Sequence, residues 1–177
     1  MHLQPNPSLS VNKNFLVPTG FTFALARSPN LNFFATRVQF PTVSLPTSNG
    51  MPTPFAKIQI PGDRIEFGAV DISFLLDEEL QAYAEMAMWM QALGFPESFS
   101  QYRQLQSMPA GMRDVSDGTL TILDSNFAPV SSFRFVDMFP TSISGVDMNT
   151  SATDATPIEM TVTFAYTRFV IESHRRP

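Results

Sequence analysis

The chain has 177 residues, a formal charge of −5, 44% hydrophobic residues and no Cys; that size fits one domain burying roughly two-thirds of its unfolded surface. Its 11 Lys and Arg are too few to cluster into a surface that grips a polyanion, and without Cys there is neither a disulfide nor a thiolate zinc site. No apolar run approaches the ~18 residues of a membrane helix, and the start, MHLQPNPSLSVNKN, lacks a signal-peptide core, so assembly from the cytosol without membrane contact is expected.

Residues 1–20 are polar, hold three prolines and read as an N-terminal arm. FTFALA (residues 21–26) sets Phe21, Phe23 and Leu25 against small residues and reads as a strand. FFATRVQF (33–40) follows a Ser-Pro-Asn turn, and the two are expected to pair as a hairpin. PTVSLPTSNGMPTPF (41–55) holds four prolines, which cannot donate to a sheet ladder, and Asn49-Gly50 suits a turn tip. A loop this long is usually functional or disordered. Met51 and Phe55, apolar on an otherwise polar loop, point to a partner, against the plainer reading of a loop folded onto its own core.

AKIQI (56–60) reads as a short strand. In the next strand Ile65, Phe67 and Ala69 are apolar at odd positions, then Val70, Ile72, Phe74 and Leu76 at even ones. Side chains of a strand alternate with period two, so an extra residue lies near Gly68, Ala69 and Val70, and a bulge or sharp bend is expected there. Asp77 suits a helix N-cap, with Glu78 and Glu79 in the first turn against the helix dipole. Leu80, Tyr83, Ala87 and Met90 fall on one face, with Met86, Trp89 and Leu93 beside them, and Gly94 ends a helix of residues 78–93.

Residues 95–118 look irregular, with a short helical turn at 98–106. TLTILD (119–124) and SSFRFVDM (131–138) read as strands around an Asn-Phe-Ala-Pro turn, which FPTSISGV then leaves. Residues 149–157 form a polar loop, IEMTVTFAYTRFVIE (158–172) a last long strand, and 173–177 an exposed tail. The outcome is a mainly β fold: one antiparallel sandwich or partly closed barrel over residues 21–172, with one flanking helix and a long loop at 41–55.

Chemistry is sparse. His2 and His174 sit near the ends, so no positioned imidazole is expected in the middle of the chain, and no nucleotide-loop, zincin or nucleophile-elbow motif occurs. DVSDG (114–118) lacks calcium-loop spacing. Successive helical positions diverge by ~100°, so Asp77, Glu78 and Glu79 do not converge on one reacting atom, and helix capping is the better reading. Neither enzyme nor cofactor is expected.

The order of elements resembles the tail tube proteins of contractile-tailed bacteriophages. The resemblance rests on KIQIPGDRIEFGAVDISFLLDEELQAYAEMAMWM, then FRFVDMFPTSISGV, then EMTVTFAYTRFVIE. Its most specific pieces are Pro61-Gly62-Asp63, the junction at 74–79, Trp89 and Phe139-Pro140. The related tubes of type VI secretion and pyocin-like particles share the plan. The resemblance implies a structural virion protein in a phage tail, assembled in the host cytoplasm. Rings of six copies stack, and the inner strands merge into one barrel around a channel that conducts genome DNA. Sheath and baseplate or neck proteins are the implied partners. The loop then reaches the neighbouring ring through Val43, Leu45, Thr47, Asn49, Met51 and Phe55, and the bend at Gly68, Ala69 and Val70 lies between subunits. Six copies at −5 each put −30 on a ring, a charge that keeps duplex DNA mobile rather than held. The long N-terminal arm and the 95–118 connection also suit a baseplate or neck protein that starts or caps the tube. A small β-sandwich enzyme or ligand-binding module is the remote alternative.

Overall fold

The computed structural model describes residues 20–28, 31, 35–49, 59–94, 98–100, 103, 114–146, 148 and 157–174. Among them the strands are β1 (Phe21–Leu25), β2 (Ala35–Gln39), β3 (Val43–Ser44), β4 (Thr47–Asn49), β5 (Gln59–Pro61), β6 (Glu66–Phe67) and β7 (Val70–Leu75). The helix α1 (Gln81–Gly94) follows, then β8 (Ser116–Leu123), β9 (Pro129–Ile143), β10 (Glu159–Ala165) and β11 (Arg168–Ser173).

Two antiparallel layers share one strand. The N-terminal half of β9 lies between β8 and β11, with β1 beyond β8; its C-terminal half pairs with β10, followed by β7 and β2. β9 passes from layer to layer at Asp137, which has φ 57, opposite a register shift between Ser116 and Gly118. Gly118 permits that bend: a β-carbon there would lie 2.8 Å from the Met138 sulfur and 3.3 Å from Phe23. β10 and β11 follow β9 around the same corner, and Thr167 between them donates its N–H to the Val136 carbonyl at 3.0 Å. The core fills the space between the layers: Phe23 of the first lies 6.2 Å from Phe74 and 6.5 Å from Phe164 of the second. The fold is the expected mainly β, antiparallel one, and among the described residues its margins stay open rather than closing a barrel within one chain.

Several local expectations change. β1 and β2 do not form a hairpin; β1 pairs with β8 and β2 with β7, at opposite margins. The connection between them carries Leu31, fully buried, into the core, so the chain crosses instead of turning back. β9 does not end at Met138 but runs on through Pro140, which is tolerated because that half of β9 has, among the described residues, a strand on one side only. The last strand is two, broken at Tyr166-Thr167 where the corner bends it.

The helix starts at Gln81, not residue 78. Leu80 adopts φ 54, so Glu78 and Glu79 lie in the turn before the helix and outside its first turn. Its buried stripe is Ala82, Met86 and Trp89, rotated from the expected one, and Tyr83 is 38% exposed.

Candidate assembly surfaces

The loop expected at 41–55 is a structured arm as far as it is described. β3 pairs with β6, with Val43 opposite Phe67, and β4 pairs with β5, with Thr47 opposite Pro61 and Asn49 opposite Gln59. The arm therefore continues β2 on one side and leads into β7 on the other. Its exposed side chains include Val43 (54%), Leu45 (48%), Ile60 (50%) and Ile65 (57%), with Thr47 also exposed. A ribbon of two short strands is not stable alone, so its root has to hold it. That root is aromatic: Phe40 meets Phe133 at 5.1 Å, and Phe67 meets Phe169 at 5.4 Å and Tyr166 at 6.2 Å. Phe135 under them packs on Tyr166 at 5.0 Å. Met51 and Phe55 lie outside the described residues, as do residues 1–19 and most of the 95–118 connection.

The phase change at residues 68–70 has a physical form. β6 belongs to the arm and β7 to the second layer, and the chain leaves one sheet for the other across Gly68-Ala69. Gly68 donates its N–H to the Thr42 carbonyl at 2.8 Å, and a β-carbon at this position would collide with Thr42 Oγ1. Val70 is then fully buried and begins the core face of β7.

The outward face of the second layer is lined with hydroxyls. Ser73 Oγ and Thr161 Oγ1 hydrogen-bond at 2.9 Å, Thr163 Oγ1 donates to Asp71 Oδ1 at 2.7 Å, and Thr141 Oγ1 donates to the Thr163 carbonyl at 3.0 Å. Ser144 Oγ accepts the Thr161 N–H at 2.9 Å. Arg37, Gln39, Asp71, Ser73 and Thr161 line a shallow polar hollow on it. Val38, Ile72, Val162 and Ile143 alternate with these residues and face the core. Both margins of this layer, β2 and the C-terminal half of β9, carry no further strand among the described residues. Sequence reading located the strand but not this face, although the Thr-Ser alternation of TVTF, DISF and PTSIS was its signal.

Asp77 accepts the N–H of Gln81 at 3.1 Å and of Ala82 at 3.2 Å on its two oxygens. Desolvation works to raise its pKa, but the backbone donors of Gln81, Ala82 and Asp77 itself prevail and hold the carboxyl below its ordinary value. The group is committed to backbone at the helix start and is not poised for proton transfer. His174 Nε2 lies 2.8 Å from Ser132 Oγ at the end of β11. Among the described residues no three His, Cys, Asp or Glu groups converge as a metal site, and no helix is long and apolar enough to cross a membrane.

The structure is thus a two-layer antiparallel sandwich with a rooted arm that exposes Val43, Leu45, Ile60 and Ile65, and with one sheet face lined by hydroxyls. The chain belongs to the phage tail tube protein family, whose model matches residues 5–172. Solved structures agree in fold. A chain of an extracellular contractile injection system, the PVC sheath–tube complex in the extended state, is similar with TM-score 0.60 at 10% identity, over 96% of this chain and 99% of that one. A chain of the anti-feeding prophage baseplate, 6-fold symmetrised, gives TM-score 0.63 at 11% identity over 90% and 97%. One from the anti-feeding prophage cap gives 0.60 at 11% over 91% and 93%. No curated protein matches the chain.

Proposed function

We propose that six copies of this tail tube protein form a ring, and that stacked rings make the inner tube of a contractile phage tail, through which genome DNA leaves for the host. The observation that carries this reading is the second layer, apolar on its core face and hydroxyl-lined on the other, with two open margins of opposite strand direction. β2 of one copy placed beside β9 of the next continues the antiparallel sheet, and four strands per copy keep the alternation intact around any closed ring. The hydroxyl face then lines the channel. There Arg37 stands with Asp71 and Glu159, so among the described residues the wall lacks the clustered cations that hold a polyanion, and DNA slides without specific binding.

The arm reaches the next ring. Val43, Leu45, Thr47, Asn49, Met51 and Phe55 supply that contact, and Gly68, Ala69 and Val70 turn the chain from arm to wall. Ring stacking of this kind is head-to-tail and propagates as a filament. Sheath and baseplate or neck proteins are the remaining partners, in a virion tail assembled in the host cytoplasm. The protein acts as structure, not as an enzyme.

Electron microscopy of the purified protein at high concentration tests the reading: rings with six-fold symmetry and tubes are expected, and a persistent monomer overturns it. A second reading, a tube initiator at the baseplate, is favoured by the likeness to a baseplate chain. Copy number per virion separates them, low for an initiator and high for the tube itself.

A further inference from the structure

The turn between β8 and β9 places a Phe where local physics favours Gly. Phe127 donates its N–H to the Asp124 carbonyl at 3.0 Å, and Asp124 donates its own to the Ala128 carbonyl at 2.9 Å. Asp124 Oδ1 also accepts the N–H of Asn126 at 2.8 Å and of Ala128 at 2.9 Å. These bonds fix the loop and hold Phe127 at φ 59, with its side chain 77% exposed. In a three-residue hairpin loop of this kind the left-handed position is ordinarily taken by Gly or Asn, because a β-carbon is strained there. An exposed ring gains nothing for the isolated subunit. Phe127 therefore carries a backbone cost that its own side chain does not offset in the monomer.

We propose that Phe127 is an anchor that docks on a second copy of this chain during assembly; the proposal rests on the tube reading above. The rigid loop presents the ring with little conformational freedom left to lose on binding, and a protruding aromatic is a common source of interface energy. The chain itself offers the seats. Val43, Leu45, Ile60 and Ile65 are exposed on the arm, and Met88 is 59% exposed on α1. The exposed positions of α1, namely Gln81, Tyr83, Ala84, Met88, Gln91 and Gly94, carry no charge. An apolar knob and an apolar seat at different places on one chain make a contact that each copy both gives and receives, which is the head-to-tail geometry of a tube.

The test is Phe127→Gly in the full chain, which is expected to move two readouts in opposite directions. The thermal midpoint of the free subunit rises by about 2 °C as backbone strain is relieved. The concentration needed to form rings or tubes, read by sedimentation and microscopy, rises about tenfold or more as the anchor's burial is lost. Phe127→Asp, folded by circular dichroism, blocks assembly more strongly. Assembly of both variants at the wild-type concentration overturns the proposal, as does a fall in the midpoint of the Gly variant, which means that Phe127 packs within its own subunit. Tubes that form normally but no longer bind sheath assign the anchor to another partner and also overturn it. If the wild-type chain forms no rings at all, the tube reading fails first and takes the anchor with it.

Discussion

Phe67 meets Phe169 edge-on, with ring centroids 5.4 Å apart and planes at 69°. That contact ties the last residue of the arm to the strand on the far side of the sandwich mouth. Phe67→Ala removes it together with the Tyr166 contact. Phe67 is half-buried, so a loss of about 2 kcal/mol is expected, below the 3–5 of a fully buried Phe. Chemical denaturation measures the loss, and faster hydrogen exchange in residues 43–49 shows that the arm has come loose from its root.

Gly68 tests the switch between sheets. Gly68→Ala forces a β-carbon against Thr42 Oγ1 and strains the bond from the Gly68 N–H to the Thr42 carbonyl. A destabilisation of about 1–3 kcal/mol is expected, of the size found when atoms are added to a tight site. Gly68→Ala combined with Thr42→Gly should recover most of it, and a double-mutant cycle reads the recovery.

Tyr166 offers a gain. Its hydroxyl is buried with no hydrogen-bond partner among the described residues, and burial pushes its pKa above the ordinary phenol value. Tyr166→Phe should raise stability by about 1 kcal/mol, the lower end of the cost of an unsatisfied buried polar group. The sign with pH follows from the direction of the shift. A group whose folded pKa is raised gives stability below its unfolded pKa, which is lost as pH rises through the folded one. Wild type therefore loses stability above pH ~10, and Tyr166→Phe lacks that component. Denaturation midpoints from pH 8 to 11 decide it.

Asp77 has the opposite sign. Its folded pKa is depressed, so its stabilisation is present above the unfolded pKa and is lost as pH falls through the folded value. Asp77→Asn should lower the melting temperature at neutral pH and bring the two proteins closer together below pH ~3. Parallel melting curves at all pH values would remove the charged cap from the account.

The arm's outer surface is the direct test of stacking. Val43→Asp with Leu45→Asp places two charges on exposed positions, so the subunit should fold as wild type while rings fail to stack into tubes. Tubes of normal length from the double variant would end the inter-ring role of these residues.

Much of the fold was legible because alternation survives wherever one face is buried: FTFAL, VDISFL and EMTVTFA each show it, while at Ala69-Val70, where one bent strand was expected, the chain passes from β6 to β7, two strands of different sheets. What alternation does not carry is partner choice. Nothing in FTFAL says that it pairs with TLTIL, Phe21 opposite Ile122 and Phe23 opposite Leu120, and Leu31 looks like one more loop apolar until it is seen in the core. The helix phase departs from the periodicity of the sequence because Leu80 has left-handed backbone and precedes the helix. The arm was hidden by its prolines, although β3 and β4 use the short stretches between them.

The single strand common to both layers also bears on mechanics. Because β9 belongs to each sheet, neither can peel away while the other keeps its shape, and a load on the second layer is passed to the first along one covalent backbone. The subunit should therefore yield as a whole: one force peak in a pulling experiment, with no half-opened plateau between intact and unravelled.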